Sequence, residues 1–145
     1  MTSGASTDLK EVIFINQDAA RAFAAMPPDV RETAEARTTI LQNGGRLPAQ
    51  QVHALHGNLA GISEIRVRFD DDTYRVYFAA TFEKVIDLLD AGIKKSAHGN
   101  EIPRWQADRL QARMGRADAH YRLNKAAIGA RFEARRQASL AADTK

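Results

Sequence analysis

The chain has no cysteine among its 145 residues. Disulfides, thiolate metal sites and cysteine nucleophiles are excluded together, and the cytoplasm is the expected compartment. No apolar run approaches the ~20 residues of a membrane-spanning helix. The opening MTSGASTDLK has no charged start followed by an apolar stretch, so neither membrane spanning nor secretion is expected. There is no glycine-rich phosphate loop, no G-x-S-x-G elbow and no EF-hand pattern. No internal repeat or low-complexity tract is visible either.

What is present describes one folded domain. Hydrophobic residues make up 44% and charged residues 27%, which suits a single core rather than a disordered chain. The net charge of +3 hides an asymmetry. Residues 1–59 carry 5 basic and 6 acidic side chains, whereas residues 91–136 carry 11 basic and 4 acidic. Such a basic segment is either a polyanion footprint or a solvated helix face.

Residues 1–10 are small and polar and are expected to be a flexible tail. Glu11–Ile15 is a short apolar run suited to a strand. Asn16 can cap the helix marked by Ala19, Ala20, Phe23 and Ala24. Pro27 and Pro28 end it, and Pro28 also suits the first turn of a second helix. Val30, Ala34, Thr38 and Leu41 give that second helix its stripe, and Asn43-Gly44-Gly45 stops it. Residues 46–60 read as a connection. The period then changes to two. Ile65, Val67 and Phe69 alternate with Glu64, Arg66 and Arg68; Tyr74, Val76 and Phe78 alternate with Arg75 and Tyr77. With Asp70-Asp71-Asp72 between them, these runs predict a β-hairpin. Phe82–Leu89 is apolar at both parities, as in a strand covered on two faces, with helix as the competing reading. From Pro103, Ala107, Leu110, Met114, Ala117 and Tyr121 recur at helical spacing.

The expected fold is therefore α+β. Two N-terminal helices pack on a small, mainly antiparallel sheet in the order β-α-α-β-β-β-α, and the C-terminal helix is extended. The apolar parity of the hairpin turns Arg66, Arg68, Arg75 and Tyr77 to the face away from the two helices. Guanidinium groups bind phosphate in bidentate fashion and a phenol can stack on an unpaired base. The plain alternative is a solvated face, with Glu64 and Asp87 as ion-pair partners.

In this setting the sequence resembles the RelE/ParE-superfamily toxins, specifically the HigB-like, phage-derived branch of bacterial type II toxin–antitoxin systems. The resemblance spans roughly residues 11–122, leaving 123–145 as a C-terminal helical extension. It rests on Lys94-Lys95-Ser96-Ala97-His98-Gly99-Asn100-Glu101-Ile102-Pro103 followed by Arg109, Ala117, His120 and Tyr121. It also rests on Glu64-Ile65, Asp71, Thr73, Tyr74 and Arg75, and on Pro28 with Gly44-Gly45. Two departures stand out. Leu89-Asp90-Ala91-Gly92 occupies the place where such toxins commonly read L-H-A-F, and Phe78 ends the T-Y-R-x-x-Y pattern.

The resemblance implies a toxin made with a helix-turn-helix antitoxin, in a hetero-oligomer, that binds the ribosome and cuts mRNA. The reaction would be attack of an RNA 2′-hydroxyl on its own 3′-phosphate, a metal-independent step that needs no cofactor. It requires a proton acceptor, charge on the phosphorane and a donor for the leaving oxygen. On this reading Arg68 and Arg75 hold phosphate, and Lys94 or Lys95 is the general acid/base. Arg66, Tyr77, His98 and Arg104 contact RNA. The alternatives are a toxin of the same fold that binds another target, such as DNA gyrase, without chemistry, and an inert antitoxin-binding relative. His53 and His56 read as surface histidines, and Trp105 reads as a packing anchor.

Overall fold

The computed structural model of the chain describes residues 9–93 and 102–143. Strand β1 (Glu11–Phe14) leads into helices α1 (Gln17–Ala24) and α2 (Pro28–Gln42). Strands β2 (Val52–Ala54), β3 (Ile62–Phe69), β4 (Asp72–Ala79) and β5 (Val85–Ile93) follow, with a 3-10 turn at Gly57–Leu59. Helix α3 (Arg104–Asp143) closes the order. The five strands form one sheet, β1-β5-β4-β3-β2. β1 runs parallel to β5, and the other neighbours are antiparallel. The architecture is α+β, as the sequence predicts.

Local chemistry accounts for the boundaries. The Ala19 amide donates to Asn16 Oδ1 at 2.8 Å, capping α1. Pro28 opens α2, and its end is set where Gly44 turns to φ 80° and the Gly45 amide donates to the Ile40 carbonyl at 2.8 Å. The β3–β4 turn is built on Asp70 and Asp71, whose φ angles are 53° and 66°. Two left-handed residues in a two-residue loop match the twist of the flanking strands, and Asp tolerates that region better than most side chains.

The connection over 46–60 proves more ordered than its weak periodicity suggests. Val52–Ala54 adds an antiparallel edge strand to β3, with Val52 opposite Ile65. Three residues are too few to show alternation. The third apolar run is a strand, but it starts at Val85 and continues to Ile93.

The first core lies between the sheet and α1/α2. Phe23, Met26, Val30 and Ala34 bury against Ile65, Val67, Val76, Phe78, Ile86 and Leu88. The face away from α1 and α2, expected to present Arg66, Arg68, Arg75 and Tyr77, is covered by α3. Leu110 and Ala117 bury there against Tyr77, Ala79, Leu89, Ile62 and Leu59. α3 is continuous for 40 residues through Gly115. Its later turns stay on the domain: Ile128 is fully buried, and Arg131 and Arg135 pair with Glu11 of β1. No helix among the described residues is long and apolar enough to cross a membrane.

The register shifts between β4 and β5. Tyr77 pairs with Asp90, but Phe78 pairs with Leu88, so Leu89 is the extra residue of a β-bulge. A bulge breaks the alternation of faces. Leu88 and Ala91 join the first core, Leu89 joins the second, and Asp90 meets Arg109 and Arg113 of α3.

Candidate functional site

Two cross-strand rows lie on the α3 side of the sheet. Glu64, Tyr77 and Asp90 are register partners in one. Arg66, Arg75 and Gly92 form the next. Arg66 and Arg75 are like charges directly opposite each other, an arrangement that is repulsive unless an acid intervenes. Glu64 is that acid. It accepts from Arg66 Nε at 2.8 Å and from Arg75 Nη1 at 3.0 and 3.1 Å. Asp90 plays the same part against α3, accepting from Arg109 Nη2 at 2.7 Å with Arg113 Nη1 at 3.4 Å. Arg113 also donates to the Leu89 carbonyl at 2.7 Å.

The expected open cluster of guanidinium groups and a phenol is thus corrected. Arg75 and Glu64 are buried, and Tyr77 is only 2% exposed beneath α3. Burial, reinforced by the Glu64 charge, pushes the Tyr77 hydroxyl up to about 12. It stays protonated at neutral pH, and its ring has no face open to an incoming base. Exposure rises along β3 toward its end. Glu64 is buried, the Arg66 side chain is 21% exposed, and Arg68 is exposed opposite Thr73. Arg104 is exposed at the start of α3. Lys94, Lys95 and His98 lie outside the described residues.

Each of the two carboxylates holds two guanidinium groups, so the paired lattice keeps an excess of positive charge. Arginine remains protonated at any physiological pH, so these groups can fix or neutralise an anion but cannot shuttle protons. Cavities of about 360, 230 and 450 Å³ occur elsewhere in the domain, and none is lined by Arg66, Arg68, Arg75 or Tyr77. Among the described residues no cluster of His, Asp and Glu could hold a metal ion. His53 and His56 are exposed neighbours, with ring centroids 6.4 Å apart.

Three further features differ from the sequence reading, which names Glu64 and Asp87 as ion-pair partners on a solvated face: Glu64 does pair, but buried, and Asp87 does not. Asp87 is fully buried on β5, and neither of its oxygens has a hydrogen-bond donor among the described residues. Burial raises its carboxyl to about 6, opposed only in part by His120 of α3. Glu64 and Asp90 are the hubs of the charge lattice. The sequence suggests Glu64 as an ion-pair partner, whereas the pairing of Asp90 with α3 has no local signal. Trp105 is the third. A packing anchor is expected at this position, yet Trp105 is 62% exposed, with the Arg109 guanidinium 4.8 Å from its ring centre.

Comparison with protein families matches residues 21–115 to the family described as "Phage derived protein Gp49-like (DUF891)". The chain belongs to this Gp49-like family. The matched segment runs from α1 through the hairpin and β5 into the first turns of α3, so it contains both charge hubs and Trp105. No curated protein and no solved structure matches the chain.

Proposed function

We propose that this Gp49-like protein is the toxin of a type II toxin–antitoxin pair, and that it blocks translation by cutting mRNA on the ribosome without a metal. Its partner is a helix-turn-helix antitoxin. The reading is supported by the family match together with one observation, the exposed Arg68 and the partly exposed Arg66 beside a buried carboxylate that holds two guanidinium groups; the hairpin turn next to Arg68 is itself acidic, with Asp70, Asp71 and Asp72 exposed. A phosphodiester chain is the natural ligand for exposed guanidinium groups held over a cationic lattice.

On this reading Arg68 contacts phosphate directly. Arg75 acts from behind, because its shared carboxylate fixes the Arg66 side chain. Tyr77 supports the Arg75 layer instead of stacking on a base. Arg104 and His98 contact RNA. Lys94 or Lys95 supplies the general acid or base, a role that no arginine can fill.

The second reading is a toxin that binds a different target, DNA gyrase for example, without chemistry. One observation favours it: the hub groups around Arg75 are a phenol raised to about 12 and carboxylates held in ion pairs, none suited to proton transfer. The test is inducible expression in a bacterium, with and without the adjacent antitoxin gene, followed by mapping of mRNA ends. Growth arrest with new 5′ ends inside reading frames supports mRNA cleavage. Arrest with damaged DNA and intact mRNA supports the second reading. Absence of arrest overturns both and leaves an antitoxin-binding relative.

A further inference from the structure

We infer that Trp105 is a stacking platform for an unpaired RNA base, an inference that rests on the RNA reading above. An indole is a large apolar surface, and a helix that buries Leu110 and Ala117 could have buried this one too. Instead Trp105 stands 62% exposed in the first turn of α3. Its neighbours in the chain are the exposed Arg104 and the partly exposed Gln106, both polar.

One face of the ring is already engaged. Arg109, one helical turn later, sits 4.8 Å from the ring centre. Arg109 is itself held at 2.7 Å by Asp90, whose side chain is almost wholly buried. The ring is therefore braced by a guanidinium that is anchored to the sheet, and little side-chain entropy remains to be lost when a base arrives. Asp90 is the register partner of Tyr77, and Tyr77 of Glu64, so the platform stands beside the lattice that carries Arg66 and Arg75. A cation against a ring that is 62% exposed is an arrangement that favours a nucleobase with its phosphate nearby. Asp90 thereby acquires a role: it secures the brace of the platform.

The chain has a single tryptophan, so its emission reports on this position alone. The full-length protein is titrated with a dye-labelled, single-stranded, 2′-O-methyl RNA of mixed sequence, following dye anisotropy and tryptophan emission together. Saturable quenching in step with anisotropy is expected. Trp105→Ala should weaken binding by about tenfold, and Trp105→Phe, which keeps a stacking ring, should weaken it much less. Both variants should melt like the parent, because the side chain is exposed. Binding by anisotropy with unchanged emission, or equal affinity in both variants, overturns the platform while leaving the RNA reading intact. Absence of any anisotropy change overturns the platform, while the expression assay with mapped mRNA ends decides the ribosome-bound RNA reading separately. Quenching by purified antitoxin and not by RNA also overturns the platform, making Trp105 a protein contact.

Discussion

Glu64 and Arg75 meet diagonally across neighbouring strands, with Arg75 Nη1 at 3.0 and 3.1 Å from the two carboxylate oxygens. Both side chains are buried, and Arg66 completes the group. Removing the acid leaves two guanidinium groups opposite each other without the carboxylate that joins them. Glu64→Ala is expected to destabilise the fold by about 3–5 kcal/mol, because an uncompensated buried charge is costly. Joint replacement with Glu64→Leu and Arg75→Met should recover most of that loss. Urea unfolding of the single and double variants measures both effects, and a single variant of parental stability would refute the assignment.

Arg68 separates function from folding more cleanly. It is exposed at the end of β3, so Arg68→Ala should leave stability within about 0.5 kcal/mol of the parent. Toxicity in the expression assay should nevertheless fall, as it should in Lys94→Ala/Lys95→Ala. A folded Arg68→Ala protein with full toxicity would remove this residue from the proposed site. Loss of toxicity in Arg75→Ala is less informative, since that change also unsettles Glu64.

Asp87 predicts an unusual pH profile. Its carboxyl is raised from 3.8 to about 6 by burial, so the native state holds a proton that the unfolded chain has released. Between roughly pH 4 and 6 the folded protein thus binds more protons than the unfolded one, and stability falls as pH rises. A shift of this size corresponds to about 3 kcal/mol lost once the carboxyl has ionised. His120 faces it from α3 and offsets part of the cost. Asp87→Asn should flatten this limb and be the more stable protein near pH 8. Urea midpoints across pH 4–8 test this, and parallel profiles for parent and variant would refute it.

The later turns of α3 belong to the domain by physical criteria. Ile128 is fully buried, and Glu11 is held by Arg131 and by Arg135 at 3.5 Å. The Arg131 interaction also lowers the Glu11 carboxyl below its usual value. Truncation after Arg122 should cost about 2–5 kcal/mol, comparable to deletion of one core side chain. Amide exchange in β1 should accelerate more than in β3 and β4, because β1 loses its ion pairs. Unchanged β1 exchange would show that the segment is dispensable.

The alternation in residues 62–79, the Asn16 cap, the Pro28 start and the Gly44 stop are local codes, and they make the hairpin and the first two helices readable in advance. Parity also assigns Arg66, Arg75 and Tyr77 to the face away from α1 and α2, and that face is where they lie. Three things were decided only in three dimensions. The bulge at Leu89 sends Leu89 and Asp90 toward the same helix, which no strict period of two can foresee. α3 crosses that face because burying Leu110 and Ala117 requires a surface the linear pattern does not name. Glu64 finds Arg75 across 11 residues and Asp90 finds Arg109 across 19. Charge pairing depends on distance in space, and the sequence by itself states only which charges exist.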